Sequence, residues 1–141
     1  ARVQNLIHQR KQLKIRFAES ITIKADEIAV TSSDQLFLQQ ITQEIEKQLS
    51  NENFGVKELG MVVNMDRTQL FRKLKALLGY SPSQMIKDMR MQRAKHLLEN
   101  NVANVSQISQ MVGYRSPEYF SQSFKKEFGI NPSDLLKKEV K

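Results

Sequence analysis

The chain has 141 residues, 40% of them hydrophobic, and a formal net charge of +7, which is enough apolar material for one domain or two very small ones. It has no cysteine, and that excludes a disulfide framework, thiolate zinc sites and cysteine nucleophiles while fitting a reducing compartment. Only five glycines and three prolines interrupt a sequence rich in helix formers, and no apolar run approaches the ~20 residues of a membrane span, so a mostly helical chain without membrane contact of its own is expected.

Charge is unevenly spread. Residues 1–20 carry a net +4, residues 21–53 a net −4, residues 54–86 a net +3 and residues 87–141 a net +4. A basic C-terminal two-thirds points to a polyanionic partner, and a plain basic solvated surface is the competing reading. The chain starts at Ala rather than Met, so it reads as part of a longer protein.

Residues 1–17 place Val3, Leu6, Ile7, Leu13 and Phe17 on one helical stripe, with Arg10, Lys11 and Lys14 between them. Periodicity is lost over 18–34, which reads as a linker ending in the stop signal "TSSD". A helix follows over about 35–50, with Ser33 or Asp34 as its cap and Leu38, Ile41, Ile45 and Leu49 as its buried stripe, Phe37 beside them.

The rest of the chain is an internal duplication. "VKELGMVV" (56–63) matches "VSQISQMV" (105–112) at an offset of 49, and "DRTQLFRKLKALLGYSPSQMI" (66–86) matches "SPEYFSQSFKKEFGINPSDLL" (116–136) at an offset of 50, the second copy having one extra residue. Each copy predicts a short helix, a tight turn and a longer helix. Gly55 with Glu58, and Asn104 with Gln107, stand at the starts of the short helices. Asn64 and Gly113 stand at the turns, where positive φ is needed. Asp66 and Ser116 cap the longer helices, which end at Gly79 and Gly129. Ser81-Pro82 and Asn131-Pro132 then restart the chain as helix, the proline sitting where a missing N–H costs nothing. Leu59, Val62, Val63, Leu70 and Leu74 are the expected packing residues of the first copy, and Ile108, Met111, Val112, Phe120 and Phe124 those of the second. This is the helix-turn-helix pattern twice over.

Between the copies runs one helix over about 82–100, with Met85, Ile86, Met89, Ala94, Leu97 and Leu98 on its buried side. At 1.5 Å per residue it is ~28 Å long, close to the ~34 Å turn of B-DNA, so two exposed second helices could enter successive major-groove segments. On their outward faces the first copy offers Arg67, Thr68, Phe71, Arg72 and Lys75, and the second Arg115, Glu118, Tyr119, Gln122 and Lys126. Arginine can fork onto guanine, glutamine onto adenine, and glutamate can accept from cytosine, while threonine and aromatic carbons can touch thymine methyls. Lys73, Lys75, Lys125 and Lys126 suit phosphate, which orients without reading sequence. Phe71 has a competing reading as a packed residue.

Nothing supports catalysis or a cofactor. His8 and His96 are far apart and unaccompanied by cysteine, so no metal site is expected. Asp34, Glu44 and Glu46 read as a solvated acidic face, Ser116 as a cap, and no glycine-rich phosphate loop occurs.

The stretch "RMQRAKHLLENNVANVSQISQMVGYRSPEYFSQSFKKEFGINPSDL" (90–135) resembles the C-terminal signature of the AraC/XylS transcription regulators, through Arg90, Arg93-Ala94, Leu97-Leu98, Ile108, Val112-Gly113-Tyr114, Ser116-Pro117, Tyr119-Phe120-Ser121, Phe124-Lys125-Lys126, Phe128-Gly129 and Pro132-Ser133. The resemblance covers about 35–137. It implies an all-α domain of seven helices in two homeodomain-like helix-turn-helix subdomains: the first helix-turn-helix at about 56–78, the linker helix at about 82–100 and the second helix-turn-helix at about 105–128. It also implies base contacts at Thr68, Phe71 and Arg72 and at Glu118, Tyr119 and Gln122, although Phe71 departs from the polar residue often found there. Its implied partners are double-stranded DNA and RNA polymerase.

A narrower resemblance adds the front end. "RVQNLIHQRKQLKIRF" followed by a linker and "SSDQLFLQQITQEIE" is similar to the output end of Bacteroides-type hybrid two-component sensors, in which a periplasmic sensor, a histidine kinase and a receiver precede this domain in one membrane protein. Residues 1–17 would then continue the receiver's last helix, homodimerisation could run through the receiver or that helix, and this segment would work on the cytoplasmic side. A different class of reading makes the chain a protein-interaction or dimerisation module, and a third makes it the DNA-binding half of an effector-binding regulator.

Overall fold

A helix needs an inward stripe to hold it, and the apolar stripes of this sequence supply two separate sets. The computed structural model describes residues 32–136; the segment read as a 1–17 helix and most of the 18–34 linker lie outside the described residues, and the last three residues of that linker, 32–34, are already helical. Among the described residues there are seven helices and no strand: α1 (Ser32–Lys47), α2 (Val56–Val62), α3 (Arg67–Leu78), α4 (Pro82–Glu99), α5 (Val105–Met111), α6 (Pro117–Phe128) and α7 (Pro132–Leu135). None is long and apolar enough to cross a membrane.

These helices divide into two units. In the N-terminal unit α1, α2, α3 and the first half of α4 surround one core. Phe37, Leu38, Ile41 and Ile45 of α1 meet Leu59 of α2, Leu70, Leu74 and Leu78 of α3, and Met85, Ile86 and Met89 of α4, with Leu49 and Phe54 from the α1–α2 connection. In the C-terminal unit the second half of α4 supplies Met91, Ala94 and Leu98, which are buried with Ile108, Val112, Phe120, Phe124 and Phe128. Here the aromatic rings stack in succession, with Phe120–Phe124 centroids 5.8 Å apart and Phe124–Phe128 centroids 4.6 Å apart. The leucines of the first copy are thus replaced by phenylalanines whose tilted contacts add to area burial.

The duplication is visible bond by bond. In the first turn Met65 N–H donates to the Gly60 carbonyl at 2.9 Å, and in the second Tyr114 N–H donates to the Ser109 carbonyl at 2.8 Å. Asn64 and Gly113 both have positive φ, 57° and 83°. A Cβ on Gly60 would run into the Met65 carbonyl oxygen, so the first turn closes only over a glycine, while Ser109 is accommodated in the second with its hydroxyl donating to the Ser106 carbonyl at 2.7 Å. Asp66 accepts from Gln69 N–H at 2.8 Å and Gln69 accepts from Asp66 N–H at 3.0 Å. Asn104 and Gln107 repeat that reciprocal pair at 2.8 and 3.1 Å. Ser116 accepts from Tyr119 N–H at 3.1 Å, and Gly79 and Gly129 close α3 and α6 in the left-handed conformation.

Four local expectations are corrected. Ser33 and Asp34 lie inside α1 rather than capping it, because the helix already includes Ser32. Asn131 makes no side-chain cap bond; its carbonyl accepts from Asp134 N–H at 3.0 Å, which suffices for a four-residue helix. Gly55 has no side chain to cap α2, so only half of the reciprocal arrangement forms, with Glu58 accepting from Gly55 N–H at 2.9 Å. Met111 is 40% exposed, because Ile108 and Val112 take the inward positions of the short α5 and leave Met111 at its edge.

Candidate nucleic-acid interface

The second helix of each pair carries its stripe inward and its chemistry outward. On α3, Leu70, Leu74 and Leu78 are buried while Arg67, Thr68, Phe71, Arg72 and Lys75 are all exposed. Phe71 is 47% exposed, so the competing reading of Phe71 as a packed residue fails. On α6 and the turn before it, Phe120, Phe124 and Phe128 are buried while Arg115, Glu118, Tyr119, Gln122 and Lys126 are exposed. Tyr119 is 61% exposed. Two large aromatic rings thus stand open to solvent on otherwise polar faces.

Neighbours constrain several of these groups. Glu118 accepts from the Ser116 hydroxyl at 3.0 Å, which holds its carboxylate over the first turn of α6. Tyr119 lies against Tyr114, ring centroids 5.8 Å apart, and Tyr114 in turn packs edge-on to Phe120 at 5.4 Å. Burial pushes the Tyr114 phenol up to about 12, with the Tyr119 and Glu127 charges adding to the shift and Arg90 opposing it. Arg115 Nε stands 3.3 Å from the Glu52 carboxylate.

Lys73 departs from the expected phosphate role. Its Nζ is 3.5 Å from Asp34 Oδ1 and 4.6 Å from the centre of the Phe37 ring, so it faces α1. The acidic residue read as part of a solvated face is therefore a partner of α3. Lys125 and Lys126 are exposed in the last turn of α6.

One residue supports the second unit from behind. Arg90 is 7% exposed and donates to the Val112 carbonyl at 2.8 Å and to the Asn51 carbonyl at 3.1 Å. Val112 ends α5, so the guanidinium satisfies a helix C-terminus, favourable for hydrogen bonding and for the helix dipole alike. Burial lowers the Arg90 pKa, and Tyr114 opposes the shift. Neither this role nor the Glu52–Arg115 pair was legible from spacing, since the partners are 22 and 63 positions apart in sequence.

His96 is exposed beside Asn100, and among the described residues no group of three or more His, Cys, Asp or Glu could hold a metal ion.

Two capped, basic-faced second helices in tandem define a helix-turn-helix DNA-binding domain. A helix-turn-helix domain family matches residues 59–138. The chain is 38% identical over 132 residues to histidine kinase P4 of Formosa agariphila, covering 94% of this chain but 10% of that protein. It is 37% identical over 79 residues to the lactose operon transcription activator of Staphylococcus xylosus, covering 56% of this chain and 28% of that protein. Among solved structures, the C-terminal domain of AraT, a response regulator from Geobacillus stearothermophilus, superposes with a TM-score of 0.66 at 28% identity, covering 70% of this chain and 82% of that one. The chain belongs to the AraC-type helix-turn-helix family of DNA-binding transcription regulators. It spans less than a third of the length of these two curated relatives.

Proposed function

We infer that this chain is the sequence-specific DNA-binding output domain of a hybrid two-component sensor. The observation that carries the DNA-reading part is the exposure of all ten outward residues, nine on two helices whose stripes are buried and Arg115 just before the second. The two-component part is supported by the 94% coverage of this chain in its likeness to a protein named as a histidine kinase and by the likeness to a response regulator's C-terminal domain. In this reading α3 and α6 enter successive major-groove segments. Arg67, Thr68, Phe71 and Arg72 read from the first helix, and Glu118, Tyr119 and Gln122 from the second, with Arg115 at the entry to that helix meeting backbone phosphate. Lys75 and Lys126 neutralise phosphate. Double-stranded DNA is the ligand, RNA polymerase the downstream partner, and a second copy is met through the receiver or the N-terminal helix. The domain works in the cytoplasm, at the inner face of a membrane-anchored parent.

The test is fluorescence-anisotropy binding to a duplex that this chain selects from a random-sequence pool, and to a scrambled duplex, across a salt series. Tight binding to the selected duplex with a steep salt slope is expected. Weak binding of equal strength to both would reject sequence reading by this chain. Sedimentation with and without residues 1–17 tests the dimer contact.

A further inference from the structure

We propose that Glu52 is a positioning residue of the DNA interface, acting through Arg115 to suppress non-specific binding; the inference rests on the DNA reading above. Three observations meet at this pair. Arg115 is the extra residue of the second copy: Met65 directly precedes the cap Asp66, whereas Arg115 stands between Tyr114 and the cap Ser116. It therefore sits at the entry to α6, a 12-residue helix whose N-terminal end attracts phosphate. Its Nε lies 3.3 Å from Glu52 Oε1, with the two side chains 69% and 47% exposed, so solvent and a ligand both reach the pair.

An exposed ion pair of this kind is weak and readily exchanged. That weakness is what makes it selective. A phosphate arriving at Arg115 must displace a carboxylate of the same sign, which then stays beside it and repels it. On an arbitrary duplex nothing offsets this penalty. On a duplex where the other outward residues of α6 find their bases, their contacts hold the backbone against Arg115 and the exchange goes forward. Glu52 thus taxes every encounter and is overcome only in register, as repulsive elements do in specific interfaces.

The experiment is a binding cycle with the wild-type chain, Glu52→Gln, Arg115→Ala and the double variant, each titrated with the selected and the scrambled duplex across salt. Glu52→Gln is nearly isosteric at an exposed position, so folding is preserved. It is expected to tighten binding to the scrambled duplex by roughly twofold to fivefold, to tighten the selected duplex less, and to steepen the scrambled-duplex salt slope by about one. In the Arg115→Ala background the same substitution should change little. Equal tightening on both duplexes, persisting without Arg115, would mean a long-range charge effect and would overturn the proposal. Loss of affinity on Glu52→Gln would also overturn it. A wild-type chain that fails to discriminate between the duplexes removes the DNA reading itself, whereas intact discrimination with an inert Glu52→Gln removes the role of Glu52 alone.

Discussion

Substituting Arg72 by alanine separates reading from anchoring. Its side chain is exposed on α3, and a bidentate arginine–guanine contact is worth about 1–3 kcal/mol of discrimination. Arg72→Ala is therefore expected to lose that much on the selected duplex and to relax one base position, as read by anisotropy on single-base variants. An equal loss on every duplex would mark Arg72 as a phosphate contact. Arg90 belongs to the opposite category. Arg90→Met leaves the Val112 and Asn51 carbonyls without the guanidinium that pairs them, and losing a charge-assisted bond such as the buried one to Val112 costs about 1.5–3 kcal/mol. Urea unfolding should register that loss. Tyr114 yields a pH signature. Its pKa is raised from 10.0 to about 12 in the fold, so the folded state holds the proton more tightly than the unfolded chain. The stabilisation is complete below pH ~10 and is lost as pH rises toward ~12. Tyr114→Phe should flatten the alkaline fall in unfolding free energy over that window; an unchanged slope would place the titration elsewhere.

At the scale of the element, caps divide into those that bond and those that do not. Asp66→Ala breaks the reciprocal pair with Gln69 and is expected to cost ~1 kcal/mol of stability. Asn131→Ala should cost much less, because that side chain makes no cap bond. Thermal melts of the two variants side by side check the contrast. These elements also mark what the sequence revealed. Asp66, Asn104, Ser116, Gly79, Gly129 and the Asn64–Gly113 turns were readable because capping and positive φ are local properties, decided within four residues. Asn131 misled because a cap residue type was present where the helix was too short to use it. Met111 misled because a seven-residue helix has room for few inward positions, and periodicity cannot say which apolar neighbour is left at the edge. Lys73 was assigned to phosphate by its charge, and only the approach of α1 revealed Asp34 and Phe37 as its partners.

For the molecule as a whole, two cores imply two sites of vulnerability. Leu74 and Phe124 are both fully buried, each in its own cluster. Leu74→Ala and Phe124→Ala should cost ~2–5 and ~3–5 kcal/mol respectively. Hydrogen exchange should speed first in α1–α3 for the former and in α5–α6 for the latter; uniform acceleration in both variants would show the cores to be one cooperative body. The outward faces of α3 and α6 were legible as candidates because the inward stripes were unambiguous and left little else to face solvent. What linear reading could not supply was the company those residues keep: Glu52 beside Arg115, Ser116 beneath Glu118, Tyr114 behind Tyr119.

The matched caps have a practical corollary. From Asp66 to Gly79 and from Ser116 to Gly129 the chain runs through fourteen-residue segments that start with the same kind of bond and stop with the same left-handed glycine. Each behaves as a socket with standard fittings at both ends. Transplanting only the outward letters of one into the other, core leucines or phenylalanines left in place, should yield a chimaera that folds with an altered preference, so the repeat offers a natural chassis for rewriting what this domain reads.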